Sequence, residues 1–181
     1  MPSTTPQFQE SLADRESWST ERCSIGRALD VVGPRSAMLL LREAYYGTTR
    51  FDDFAHRVGI TESVAAGRLR ALVAAGLLDR RPYQEPGRRT RHEYVLTESG
   101  AELVPTLLAL MQWGDRHLQG TAGAPLALTH TDCGEPVSVE IRCAAGHRLA
   151  PGELSIAPGR KRPAAEPAAP GHDAGGSTAG S

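Results

Sequence analysis

Between residues 21 and 120, apolar positions recur at helical spacing, then switch once to a shorter period and back. Ile25, Leu29 and Val32 share one face of a helix that ends at Gly33. Pro34 suits the start of a second helix, in which Met38, Leu39, Leu41 and Ala44 run inward as far as Gly47. A short helix over Arg50 to Val58 follows, with Phe51, Phe54, Ala55 and Val58 inward and Gly59 as its stop. Thr61 is a good N-cap for the next helix, whose core face is Ala65, Leu69, Leu72 and Val73 and which ends at Gly76.

The period then shortens. Leu77 to Tyr83 and Arg91 to Thr97 read as two strands, joined by a loop from Gln84 to Thr90 that is rich in turn residues and charge. Thr97 caps a terminal helix running from Glu98 to about Leu118, striped by Leu103, Leu107, Leu110, Met111 and Trp113. After a Gly/Ala/Pro linker near Gly120 to Pro125, the segment from Leu126 to Ile156 reads as β-rich. The two ends lack such patterning. Residues 1–20 are polar and read as a flexible arm. Residues 158–181 are nearly all Pro, Ala, Gly and Ser and read as a disordered tail.

The predicted fold is therefore α+β and mainly α. It comprises one helical domain over 21–119, a small module over 126–157 and two tails. Helix, short helix, glycine-bearing turn, helix and charged hairpin, in that order, spell a winged helix-turn-helix. Such a helix, starting at Thr61, fits a major groove with its first residues nearest the base edges. Thr61, Glu62, Ser63, Ala66, Gly67 and Arg70 lie opposite its core face. Ala66 and Gly67 keep that face low. An interior glycine costs a helix about 1 kcal/mol against alanine, so either close approach to a groove or plain drift accounts for Gly67.

Charge sharpens this picture. The 181-residue chain has a formal net charge of −1, but the seven arginines from Arg68 to Arg91 face two acids, leaving that stretch at +5. Lys161 is the only lysine. A GC-rich genome explains arginine in place of lysine, not the clustering. Arg88, Arg89 and Arg91 of the hairpin suit phosphate or minor-groove contact, against the plainer reading of a solvated charged loop.

The same stretches resemble the HxlR-type regulators. The matching runs are Cys23-Ser-Ile-Gly-Arg-Ala-Leu-Asp-Val-Val-Gly33, Leu39-Leu-Leu-Arg-Glu-Ala44, Gly47-Thr-Thr-Arg-Phe-Asp-Asp-Phe54, Gly67-Arg-Leu-Arg-Ala-Leu-Val-Ala-Ala-Gly-Leu-Leu78, Glu93-Tyr-Val-Leu-Thr-Glu-Ser-Gly100 and Leu110-Met-Gln-Trp-Gly-Asp115. The resemblance spans about residues 23–118. It implies a bacterial, homodimeric winged-helix repressor or activator, with Arg68 and Leu69 at the family's recognition-helix Arg-Leu pair. After Val32-Gly33 the family carries a short polar step and then Trp, where this chain has Pro34-Arg35-Ser36. The lost indole bears on the packing of the second helix and on any ligand pocket it lines.

Two signals point to a homodimer. The terminal helix has a broad apolar stripe, joined by Ile25 and Leu29, and one small reading helix binds an operator weakly without a second half-site. The expected partner is double-stranded DNA bearing a palindromic operator, with a small-molecule or redox effector.

Cys23 sits where relatives carry a cysteine that in some of them senses oxidants. A thiol at a helix N-terminus near Arg22 and Arg27 favours thiolate, and a buried structural thiol is the alternative. His130-x-x-Cys133 and Cys143-x-x-x-His147 form two ligand pairs at a spacing suited to zinc. They resemble the His-x-x-Cys-Gly and Cys-x-x-Gly-His turns of longer relatives. A Cys133–Cys143 disulfide and a plain hairpin with incidental thiols stay open beside zinc.

No nucleophile–base pair, paired-carboxylate spacing or phosphate-cradling loop is visible, and Asp52-Asp53 more simply cap a short helix, so no enzyme is expected. With no export signal and no apolar run approaching about 20 residues, the expected location is the cytoplasm. A ligand-binding or protein-interaction module that kept the fold and lost operator binding is the competing reading.

Overall fold

The computed structural model describes residues 4–12, 14–16, 18–84, 87 and 90–159. Its elements, in chain order, are β1 (Gln7–Phe8), α1 (Ser24–Val32), α2 (Arg35–Tyr45), α3 (Phe51–Val58), α4 (Glu62–Ala74), β2 (Leu78–Tyr83), β3 (Arg91–Leu96), α5 (Glu98–Ala101), α6 (Val104–His117) and β4 (Ser155–Ile156). The described residues divide into two units, those within 17–149 and those of the two ends, within 4–16 and 150–159.

The core of the larger unit lies where α2, α3, α4 and the β2–β3 hairpin converge. Leu40 and Leu41 from α2, Phe54 from α3, Leu69 and Leu72 from α4, and Leu78 from β2 are its fully buried large side chains. Each such burial is worth about 1.5–3 kcal/mol relative to exposure. Phe54 meets the Tyr94 ring edge-on at 6.2 Å, which binds α3 to the hairpin. Gly59 ends α3 at φ 68°, a left-handed conformation that suits glycine and lets the chain reverse into α4 within three residues.

β2 and β3 pair antiparallel from Leu78↔Leu96 to Tyr83↔Arg91. A further bridge joins Arg50 to Glu93, and the Tyr94 amide donates to the Thr49 carbonyl at 2.9 Å. The residues entering α3 are thereby stitched to the hairpin. Thr97 fastens the other side: its hydroxyl donates to the Gly76 carbonyl at 2.6 Å and accepts from the Gly100 amide at 3.0 Å.

Three expectations change in detail. The single terminal helix is two, α5 and α6, separated at Glu102 and Leu103. Pro105, which has no amide hydrogen to donate back to Ala101, opens the second of them. The segment after residue 126 holds isolated bridges, Thr129↔Pro136 and Arg142↔Arg148, in place of extended strands within the larger unit. In the other unit, β1 pairs in parallel with β4, so the polar stretch read as an arm contains a short strand. Residues 160–181 lie outside the described residues, as does the expectation of a disordered tail there.

A candidate nucleic-acid interface

The outer face of α4 is assembled by the same packing that fixes its inner face. Ala65, Leu69 and Leu72 are buried, which turns Thr61, Glu62, Ser63, Arg68 and Arg70 outward into exposed positions, with Ala66 and Gly67 half-buried between them. Thr61 caps the helix as expected, its hydroxyl accepting from the Val64 amide at 3.4 Å. A Cβ added at Gly67 would meet nothing within 4 Å. The chain's own packing therefore makes no demand for glycine there.

One residue of this face escaped the sequence reading. Val64 is 44% exposed at the N-terminal end of α4. An apolar side chain exposed there is of the kind that meets a thymine methyl group in a major groove. Its signal was present, since it falls between the core positions, but an isolated valine reads as ordinary helix.

Beside α4, the hairpin carries Arg91 exposed at its open end. Arg88 and Arg89 lie outside the described residues. Arg50, Arg80, Arg91 and His92 line one polar cleft with Asp52, Asp53 and Tyr83. The Arg50 guanidinium lies 3.3 Å from the Tyr83 ring centroid, and its Nη1, 3.8 Å from a Glu93 oxygen, is buried without a hydrogen bond. Arg80 Nη2 is 3.0 Å from His92 Nδ1. Sequence reasoning missed Arg50 and His92 because a long-range bridge, not a local motif, brings them together.

The remaining candidate residues sit elsewhere. Cys23 is the N-cap of α1, exposed, with its sulfur accepting from the Gly26 amide at 3.5 Å. His130 Nδ1 and Cys133 Sγ are 3.1 Å apart, and the Cys143 amide donates to the His147 carbonyl at 3.1 Å, so each pair closes its own turn. Among the described residues no three His, Cys, Asp or Glu side chains gather into a group able to hold a metal. Among those residues, too, no helix is long and apolar enough to cross a membrane.

Three helices closing on a two-stranded hairpin, with a capped helix presented beside it, define a winged helix-turn-helix protein. The profile of the HxlR-like helix-turn-helix family matches residues 31–122. An uncharacterised HTH-type transcriptional regulator of Mycobacterium tuberculosis is 45% identical over 120 residues, covering 66% of this chain and 75% of the relative. Another, from Methanothermobacter thermautotrophicus, is 36% identical over 93 residues, 51% of this chain and 70% of that one. Among solved structures, a candidate transcription factor from Pseudomonas aeruginosa superposes with a TM-score of 0.56 at 32% identity, covering 78% of this chain and 96% of its own. A second candidate transcription factor gives a TM-score of 0.64 at 35% identity, covering 71% and 89%. The chain belongs to the HxlR-like helix-turn-helix family and is a transcriptional regulator of helix-turn-helix type, a class whose relatives are not enzymes.

Proposed function

We propose that this regulator acts as a homodimeric repressor, binding a palindromic operator through α4 in successive major grooves and through the hairpin on the flanking backbone. The observation that carries the reading is the outward face of α4, which its own domain leaves uncovered from Thr61 to Arg70. Arg68 and Arg70 supply guanidinium forks for guanine edges or phosphates, and the first turn presents amide hydrogens and the positive dipole end. Arg91, with Arg50 and Arg80 behind it, neutralises phosphates. Dimerisation is supported by large apolar side chains left exposed on two helices: Ile25 at 71% and Leu29 at 55% on α1, Leu110 at 55% and Trp113 at 49% on α6.

Retardation of the chain's own upstream DNA in a salt series tests the reading. Specific retardation, weakening steeply with salt, is expected; selection of no sequence from a random pool at low salt would leave only the protein-interaction alternative. Sedimentation checks the dimer, and a reporter assay separates repression from activation.

Two further elements of the reading concern chemistry at the cysteines. Redox sensing at Cys23 is supported by its exposure and helix-terminal position, and Cys23→Ser should abolish an oxidant response of the DNA complex. Zinc at His130, Cys133, Cys143 and His147 requires the two turns to close on one another. Metal analysis finding less than about one-tenth of an equivalent would reject it.

A further inference from the structure

Between α2 and α6 lies a cavity of about 220 Å³. Its walls are mostly apolar, built from Met38 on one helix and Leu107 and Met111 on the other, and Tyr45 and Tyr46 also line it. Arg42 is the one charged residue lining it. An apolar cavity of about 150 Å³ is enough to take benzene, so this volume suits one ring or two fused rings. Paired methionines adapt their shape to a flat guest, and the Tyr46 hydroxyl already rests on the Met111 sulfur at 3.9 Å.

Arg42 is held in place by its neighbours. Its Nε and Nη2 donate to the same Glu43 oxygen at 3.1 and 2.6 Å, and Glu43, itself buried, is steadied through its other oxygen by the Thr48 hydroxyl at 3.3 Å. Nη1 takes no part in these bonds, and the Arg42 side chain is 39% exposed, which leaves guanidinium donor capacity at a cavity otherwise lined by apolar side chains and phenol groups.

We propose that this cavity is an effector site for a small aromatic carboxylate, its rings between α2 and α6 and its carboxylate on Arg42. The proposal rests on the regulator reading given above. Glu43 offsets much of the arginine's charge, so preference for the anion over a neutral isostere is modest. The route to DNA is mechanical: Leu40 and Leu41 of α2 pack in the core with Leu69 and Leu72 of α4. A guest that shifts α2 thus tilts the reading helix.

Calorimetric titration of the full chain, without DNA, with 1-naphthoate and with neutral 1-naphthalenemethanol tests the site. One naphthoate per chain, bound at least five-fold more tightly than the alcohol, is expected. Arg42→Gln should erase that preference. Leu108→Trp should fill the cavity and abolish both; if that variant fails to fold, Met38→Phe serves the same purpose. No binding of either compound to the wild-type chain, or a preference unchanged in Arg42→Gln, overturns the proposal. Loss of dimerisation on filling the cavity, with no naphthoate bound to the wild type, would place a second copy on this face and overturn it equally.

Gel shift separates the two readings. DNA retarded by a chain that binds no naphthoate removes the cavity and keeps the regulator. Naphthoate bound by a chain that retards no DNA keeps the site and removes the operator. Naphthoate bound with operator affinity changed less than two-fold rejects the effector role.

Discussion

The helical body and the module behind it are stabilised by different physics. Around α2, α3 and α4, six large side chains are almost wholly withdrawn from water. In residues 123–149 no residue is buried. That module is held by its backbone turns, by Arg142 and Arg148 sharing Glu140 at 2.7 and 3.1 Å, and by Gln112 of α6. The Gln112 side-chain amide imitates a neighbouring strand: Nε2 donates to the Val137 carbonyl at 2.8 Å and Oε1 accepts from the Val139 amide at 3.0 Å. Apolar burial is non-directional and cooperative, whereas a few exposed hydrogen bonds contribute about 0.5–1.5 kcal/mol each. The body should therefore unfold as one unit, and the module should open without it.

The sharpest way to break this comparison is to hollow the body. Phe54→Ala removes a fully buried ring that also supports Tyr94. It should cost about 3–5 kcal/mol, enough to unfold much of a marginally stable domain. Chemical denaturation followed by circular dichroism measures it, and a loss below about 1 kcal/mol would mean that the core is not where the structure puts it.

A smaller effect is expected at the proposed DNA-binding surface. Arg70→Ala should weaken specific operator binding by about 1–3 kcal/mol, the usual worth of one good base contact, with little change in unfolding free energy because Arg70 is exposed. Arg91→Ala should instead lower affinity for all sequences and make the salt slope shallower by about one. Anisotropy titrations at several salt concentrations distinguish the two. Equal losses on specific and random DNA for Arg70→Ala would demote it to a phosphate contact.

Gln112→Ala tests the other half of the comparison. Losing both amide bonds should release residues 126–149 to fast hydrogen exchange while costing the body about 1 kcal/mol or less. Exchange measured by mass spectrometry would show it; a simultaneous loss of protection in α2 would mean that the two regions form one cooperative unit.

What could be read in the sequence divides along the same line. Leu69, Leu72 and the caps at Thr61 and Thr97 announce themselves, because burial imposes a period and a helix end demands a particular side chain. The body was legible for that reason. In the module, Val137, Val139 and Ile141 alternate as a half-buried strand would, yet remain 38–48% exposed. Alternation states what a segment would do if something covered it, and here these side chains stay partly in water while the Gln112 amide bonds the backbone between them. Arg50 and His92 were silent for a related reason. Their meeting depends on a bridge to Glu93 from 43 residues away in sequence, which leaves no local trace. The break before α6 was legible in Pro105 and was masked by the continuous apolar stripe on either side.

Gly67 is the finest test, because its two explanations predict opposite bookkeeping. An alanine there has open space around its Cβ and a better helix propensity, so Gly67→Ala should stabilise the free protein by up to about 1 kcal/mol. If glycine only drifted into the position, operator affinity will be unchanged. If the low surface beside Ala66 lets α4 sink into the groove, the added methyl meets DNA, and affinity falls as stability rises. Thermal unfolding and anisotropy on the same preparation resolve the pair. Opposite signs would make Gly67 a stability sacrificed for DNA contact, and a gain in both would return the reading of the groove to Arg68, Arg70 and Val64 alone.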